Sequence, residues 1–425
     1  MTTTATDLQT ARMTTVRWTI CALLFLAMVC NYIDRQMLGF LKPTLSKEFG
    51  WSETTYADFV FWFQAAYAVS YLLFGRIVDR VGAKLGYAAA FVIWTIGHIG
   101  HAAARSVASF TAARMILGVG EGGSFPAGLK AATEWFPKSE RAFATGLFNA
   151  GTNIGAIVTP LVVPPLVLGM GWRGAFVVTG IGTSIWLALW LLLYRRPREH
   201  PGVNAAELAR ITSDPPDPTP SVPWRKVLGY RETWAYAAGK FLIDPIWWMF
   251  LFWLPDFFAK RHGLDLKSFG PPIVAVYVLS DIGSVAGGWA SSALMKRGWS
   301  INAARKATML VCSILVLPIA VAMYADSLWV AVGIVGLATA AHQGFSANLY
   351  TLPSDVFPRS AVGSVVGIGG MAGAVGGMLM AKYAGWVLDQ LHTYTPIFVV
   401  AAGAYLVALA AVHMLTPKLA PVKVD

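Results

Sequence analysis

Twelve apolar runs of about 20 residues fill most of this chain, near 17–41, 54–76, 85–104, 107–131, 142–168 and 173–194, and again near 233–259, 270–295, 305–324, 327–352, 361–386 and 394–415. A helix needs about 20 apolar residues to cross a hydrocarbon core roughly 30 Å thick. Inside lipid, every backbone N–H and C=O must find its partner within the same segment or a closed barrel. Runs of this length therefore predict an all-α membrane protein with twelve transmembrane helices. A soluble fold is excluded by 56% hydrophobic against 13% charged residues over 425 positions, with a mean hydropathy of +0.57.

The net charge of +11 points to topology, not to nucleic acid. Arg12, Arg17, Arg76, Arg80, Lys84, Lys130, Lys138 and Arg141 fall in alternate loops, as do Lys296, Arg297, Arg305, Lys306, Arg359, Lys418 and Lys423. By the positive-inside rule this places both termini in the cytoplasm. No signal-peptide pattern precedes the first span, which is expected to act as the insertion signal. Between the sixth and seventh runs, residues 195–230 contain the Pro-rich stretch Asp214-Pro-Pro-Asp-Pro-Thr-Pro-Ser-Val-Pro and many of the basic residues. This reads as a cytoplasmic linker, with a short amphipathic helix around Asn204–Ile211. It separates an N-terminal six-helix bundle, 1–194, from a C-terminal six-helix bundle, 231–425. Cys21, Cys30 and Cys312 all lie in apolar runs and read as buried thiols without a disulfide framework.

The two halves resemble each other. Glu134-Trp-Phe-Pro-Lys-Ser ends the fourth span and Asp355-Val-Phe-Pro-Arg-Ser the tenth, and the same offset carries Gly146 onto Gly367 and Gly155 onto Gly376. That is the mark of a parallel internal repeat. Glycines at spacings of three and four in the fifth and eleventh spans would let neighbouring backbones approach closely, either as static packing or as surfaces that slide.

Four charges lie where lipid would penalise them: Asp34 and Arg35 in the first run, Arg114 and Glu121 in the fourth. A charge at mid-bilayer costs from ~3 to well over ~10 kcal/mol depending on the scale, so such residues face a wet cavity or one another and mark function. Arg114 and Glu121 are seven apart, two turns or about 10.5 Å along one helix face. Asp34 and Arg35 are adjacent and diverge by about 100°, so one of them is expected to meet a neighbouring helix. A purely structural ion-pair network is the alternative.

Gly75-Arg-Ile-Val-Asp79-Arg80-Val-Gly82-Ala-Lys84, between spans two and three, resembles the loop signature of the major facilitator superfamily. Its glycines permit a tight turn, Asp79 can accept from a neighbouring helix N-terminus, and Arg80 and Lys84 stay in the basic inner leaflet. As a gate motif, Gly75, Asp79, Arg80 and Lys84 are implied. The second-half counterpart, Gly288 through Lys296-Arg297-Gly298, lacks the Asp. Asn31-Tyr32-Ile33-Asp34-Arg35 and Arg114-Met-Ile-Leu-Gly118-Val-Gly120-Glu121-Gly-Gly-Ser-Phe-Pro126 resemble the anion:cation symporter branch of that superfamily. Lys240 through Pro255, with Asp244-Pro245 and Trp247-Trp248, and Ala341-His342-Gln343-Gly344-Phe345-Ser346-Ala-Asn348 are similar to its hexuronate transporters.

The resemblance implies a proton-coupled symporter of a bacterial inner membrane that imports a hexuronate such as galacturonate or glucuronate. Arg35 would grip the carboxylate, since a guanidinium stays charged and offers two parallel donors. Asp34 and Glu121 would be the protonation sites, and Arg114 would pair with Glu121. Gln64 and Tyr67, with Tyr71 beyond them, form a polar stripe on span two suited to sugar hydroxyls, as do Asn149 and Asn153 on span five. On span seven Asp244-Pro245 would interrupt the helix, Trp247 and Trp248 would stack on the sugar, and Lys240 would neutralise Asp244. On span ten His342, Gln343, Ser346 and Asn348 supply donors and acceptors. The implied partners are a small organic anion, protons and the lipid bilayer, for a monomer without nucleic acid, cofactor or metal. The chain carries no phosphate-cradling Gly-x-x-x-x-Gly-Lys-Ser/Thr, no His-x-x-x-His and no nucleophile elbow, so no catalytic residue and no enzyme is expected. The competing readings are an aldonate, aldarate or aromatic-acid carrier of the same branch, and, in another class, a uniport channel or a non-transporting sensor.

Overall fold

The computed structural model describes residues 13–214 and 224–422, so the Pro-rich run at 215–223, Arg12 and Lys423 lie outside the described residues. Among the described residues nine helices are long and apolar enough to cross a membrane. Two of them are too long for one crossing. Helix α2 (Glu53–Ala103) has 51 residues and α4 (Lys138–Leu193) has 56, more than about 75 Å each at 1.5 Å per residue.

Each of these two helices is a pair of spans joined at a glycine. Gly82 (φ 83°) breaks α2 and Gly171 (φ 73°) breaks α4, both in the left-handed region that a side chain disfavours. Helices α1 (Val16–Phe49) and α3 (Val107–Trp135) complete six crossings, α3 being diluted in hydropathy by its own charges and glycines. Further along, α5 (Ala205–Ile211) is the short helix expected in the linker, N-capped by the Asn204 side chain. A single turn, α6 (Trp224–Val227), leads into the second set.

That set is α7 (Arg231–His262), α8 (Gly270–Lys296), α9 (Ile301–Val316) with its 3-10 extension Leu317–Tyr324, α10 (Leu328–Val356), α11 (Arg359–Leu391) and α12 (Thr395–Leu415). Among the described residues this makes twelve transmembrane helices. Helix α7 is not interrupted at Asp244-Pro245 but continues through Pro245 and Pro255. Proline at 245 releases the carbonyl of Phe241 from its helical bond, and Gly376 of α11 lies directly against that carbonyl. A glycine at that position leaves room for the freed carbonyl, which any side chain would meet.

Two units make up the chain. The first comprises the described parts of Met1–Arg35, Ala66–Thr159 and Met170–Pro218; the second comprises those of Gln36–Ala65, Pro160–Gly169 and Thr219–Asp425. In the first, Gly155 of α4 meets the Val29 carbonyl of α1 at 2.8 Å from where a Cβ would stand. In the second, Gly376 plays the same part against α7, so the repeat seen in sequence is repeated as a packing device. Gly146 and Gly367, the other matched pair, have open space around them. Backbone contact also joins α8 to α10, where Gly283 faces the main chain of Ala340 and Gly287 faces Gly344. Gly283→Leu is expected to abolish recovery of monodisperse protein from detergent, whereas Gly288→Leu, with nothing within 4 Å of its Cβ position, should purify like the parent; size-exclusion chromatography reads both.

Candidate functional site

In the first unit, α1 presents Asp34 and Arg35 to different neighbours, as adjacent helical residues must. Both are buried, at 1% and 4% exposure. The Arg35 Nε donates to Glu121 Oε2 of α3 at 2.7 Å, and its terminal nitrogen donates to Asn31 Oδ1 at 2.9 Å. The guanidinium also lies 4.9 Å from the ring of Tyr32 and 5.1 Å from that of Tyr67, a cation–π cradle. Glu121 was expected to take Arg114; the guanidinium set on it is that of Arg35. Arg114 reaches the Arg35 main-chain carbonyl with both terminal nitrogens at 3.4 Å. Tertiary packing, not spacing along α3, decides which cation serves the carboxylate.

Asp34 faces the other way. Its Oδ2 accepts from Trp94 Nε1 and from Thr183 Oγ1, both at 2.9 Å, and its Oδ1 lies 3.2 Å from His98 Nε2. None of these partners stood out in the sequence, because Trp, Thr and His inside apolar runs are ordinary. Beside Arg35, Glu121 Oε1 and Asn31 Nδ2 are buried polar atoms without a protein partner. Leaving such atoms unpaired costs roughly 1–3 kcal/mol each, so a polar visitor at this cluster gains what the protein itself leaves unmade. Tyr67 lies over Tyr71 at 6.1 Å, and Tyr71 over Phe125 at 6.3 Å. On α4, Asn153 accepts from Thr152 and Asn149 is exposed, and neither bonds a residue of the Arg35 cluster.

The gate motif has a different anchor from the one expected. Asp79 is 70% exposed and takes the Lys130 ammonium at 3.3 Å, a side chain and not a helix N-terminus. The Lys84 carbonyl accepts from Trp190 Nε1 at 3.1 Å. Gly75 has open space around its Cβ position, and Arg80 is exposed.

The second unit holds its own polar set. Lys240 bonds Asp244 Oδ2 and the Tyr350 hydroxyl, each at 2.6 Å. Trp247 is stacked on His342 at 5.1 Å with the rings 7° apart, and His342 Nδ1 lies 2.6 Å from the Tyr405 hydroxyl. Trp248 packs on Phe252 and beside Phe63. Gln64 is fully buried, its amide oxygen and nitrogen both unpartnered, and it stands against Gly377 and Trp248. Gln36, which the sequence did not single out, is buried in the same way. Asn348 does not join this group. It donates to the Gly287 and Gly344 carbonyls at the α8–α10 contact and accepts from Arg305, so its amide is consumed in holding helices together. Ser346 is buried and Gln343 half-buried on α10.

Comparison with known proteins agrees with this geometry. The Major Facilitator Superfamily model matches residues 24–381. The hexuronate transporter of Escherichia coli (strain K12) is 31% identical over 395 residues, 91% of each chain. The D-galactonate transporter of Escherichia coli O6:H1 is 26% identical over 398 residues, 90% of this chain and 91% of the relative. A crystal structure of a bacterial homolog of the human lysosomal transporter Spinster, inward-facing and unoccupied, shares the fold with a TM-score of 0.72 over 95% of both chains at 17% identity. The chain therefore belongs to the Major Facilitator Superfamily, with its twelve transmembrane helices in two six-helix bundles, and is a transporter and not an enzyme.

Proposed function

We propose that this protein is a proton-coupled symporter that imports a sugar-derived monocarboxylate by alternating access, a hexuronate such as galacturonate or glucuronate being the favoured cargo. The bundles 1–194 and 231–425, joined by 195–230, would be the alternating bodies of a monomer in a bacterial inner membrane, with both termini cytoplasmic. The observation that carries the reading is the buried Arg35–Glu121 pair at 2.7 Å. A substrate carboxylate competes with Glu121 for the same fork of donors. Once displaced, Glu121 is a carboxylate in a poorly solvated place without its cation, and it takes up a proton. Anion and proton then load together. The two named relatives carry a hexuronate and D-galactonate respectively. Both cargoes are sugar monocarboxylates, so an aldonate is the second reading within the same mechanism.

Labelled galacturonate uptake into proteoliposomes, with and without an inwardly directed proton gradient, tests this. Gradient-driven accumulation is expected; downhill equilibration alone would make the protein a uniporter, and no flux a sensor. Asp34→Asn and Glu121→Gln are expected to lose accumulation by at least about tenfold while retaining substrate exchange. Concentrative uptake at the parental rate by both variants refutes the assignment of those two acids.

A further inference from the structure

Helix α11 is notched along one face of the second unit. Gly369, Gly373 and Gly377 follow at intervals of four, so they lie one above another on the helix. Each leaves room for a side chain that carries a polar group. The Tyr236 ring stands against Gly369, the Asp244 carboxylate against Gly373, and the Gln64 amide with the Trp248 ring against Gly377. A Cβ at position 377 would lie 2.7 Å from Gln64 Oε1 and 2.9 Å from Trp248 Cδ1, whereas Gly363, Gly367 and Gly370 of the same helix have nothing within 4 Å. Gln64, on α2, and Trp248, on α7, belong to the same unit as α11.

Two of the three seated side chains have a protein partner. Asp244 Oδ2 is bonded by Lys240 at 2.6 Å, and the Tyr236 ring meets that of Tyr350 at 6.5 Å. Gln64 differs. It is 0% exposed, and neither Oε1 nor Nε2 has a hydrogen-bond partner among the described residues. A side-chain amide offers two N–H donors and a carbonyl with two lone pairs. Burying it with none of them used costs stability that a leucine of similar size would not. Trp248 is stacked on Phe252 at 5.8 Å, with the rings 11° apart, and lies edge-on to Phe63 at 6.4 Å, so the notch has a fixed aromatic wall.

Resting on the sugar-acid reading of the cargo, we propose that Gln64 is a specificity-determining residue: its amide, seated in the Gly377 notch beside Trp248, hydrogen-bonds ring hydroxyls of the cargo. Two neighbouring hydroxyls present an O–H and a lone pair side by side, the complement of an amide carbonyl and N–H. A guanidinium reads only the carboxylate, which every organic acid carries. The amide gains bonds from hydroxyls alone, since with a plain acid its atoms stay unpaired as they were before, and that difference separates a sugar acid from an unsubstituted one. Gly377 belongs to the device because any side chain there displaces the amide. The unpaired amide is then a loss of stability retained for recognition.

Isothermal titration calorimetry on the full chain in detergent tests this by comparing galacturonate with tetrahydropyran-2-carboxylate, the same ring acid without hydroxyls. The parent is expected to bind galacturonate more tightly. Gln64→Leu should weaken galacturonate about five- to a hundredfold and leave the hydroxyl-free acid within about twofold. Without ligand, its melting temperature should equal or exceed the parent's, because an unpaired buried amide has been removed; a glutamine with a merely structural role would give a lower one. Gly377→Ala should repeat the loss of preference, and Gly370→Ala, at an open position, should bind like the parent. A Gln64→Leu protein that fails to fold or melts well below the parent, that weakens both acids equally, or that keeps the preference for galacturonate overturns the role of Gln64. A parent with no preference for galacturonate overturns the sugar-acid reading itself, and a parent that prefers it without gradient-driven uptake overturns symport and leaves Gln64 standing.

Discussion

Arg35→Ala is expected to lower initial uptake of galacturonate by at least about a hundredfold, the largest functional loss of any single substitution in the first unit. The side chain is 4% exposed and bonds Glu121 and Asn31 while lying over two tyrosine rings. Truncating one member of a buried, hydrogen-bonded charge pair costs about 2–5 kcal/mol, which is roughly thirtyfold to several thousandfold in an equilibrium constant. Arg35→Lys keeps the charge but loses the planar fork; it can serve Glu121 or Asn31 and is expected to retain about a tenth of the uptake or less. Alanine also strands Glu121 as a buried anion, so Arg35→Ala should melt earlier in detergent. Adding Glu121→Gln to Arg35→Ala removes the stranded charge, which should restore the melting temperature and leave uptake lost. Uptake by Arg35→Ala within tenfold of the parent would remove Arg35 from the substrate site.

The span positions were legible because apolar length is a local signal, and the observed helices begin and end within a few residues of the runs read from sequence for most spans. What the runs hid was continuity. Residues 77–84 looked like a loop, yet helix persists on both sides of Gly82 and one left-handed residue makes the whole turn. Pro245 looked like a break, yet the carbonyl it frees meets Gly376. The site was legible to the extent that charge is conspicuous in an apolar run, which singles out Asp34, Arg35, Arg114 and Glu121. Their pairing was not, because Arg35 and Glu121 are 86 residues apart and only the packing of α1 on α3 selects one arginine over the other. The shell of Asp34 escaped notice for the opposite reason: Trp94, His98 and Thr183 carry no fixed charge, and nothing in spacing distinguishes a tryptophan that donates from one that merely fills space. Lys42 sits at the end of an apolar run, where a lysine ordinarily reaches the interface.

In the folded protein Lys42 does not reach the interface, and its loss is expected to be the largest destabilisation of any charge in the second unit. It is 1% exposed. Its ammonium bonds Glu53 at 2.5 Å and Asp256 at 2.7 Å and lies 5.0 Å from the Tyr56 ring. Lys260 bonds the same two acids, at 3.0 Å for Asp256, so two cations and two anions alternate around a closed, neutral ring. Tyr394 donates to Asp256, and Asp389 accepts the backbone N–H groups of Glu53 and Thr54 at 2.8 Å, capping α2. Helices α1, α2, α7, α11 and α12 are tied at one point. Lys42→Met leaves two partly buried acids to one lysine, at a cost of about 3–5 kcal/mol, read as a drop of several degrees in the melting temperature in detergent. Because the penalty comes from imbalance, Lys42→Met with Asp256→Asn should recover more than half of the loss, a coupling of about 1 kcal/mol or more in a double-mutant cycle. The exposed pair Lys382–Asp58, at 45% and 36% exposure, supplies the contrast: Lys382→Ala should cost less than about 1 kcal/mol and lose even that in salt. Equal losses from Lys42→Met and Lys382→Ala would mean that the ring is no more than four neighbouring surface charges.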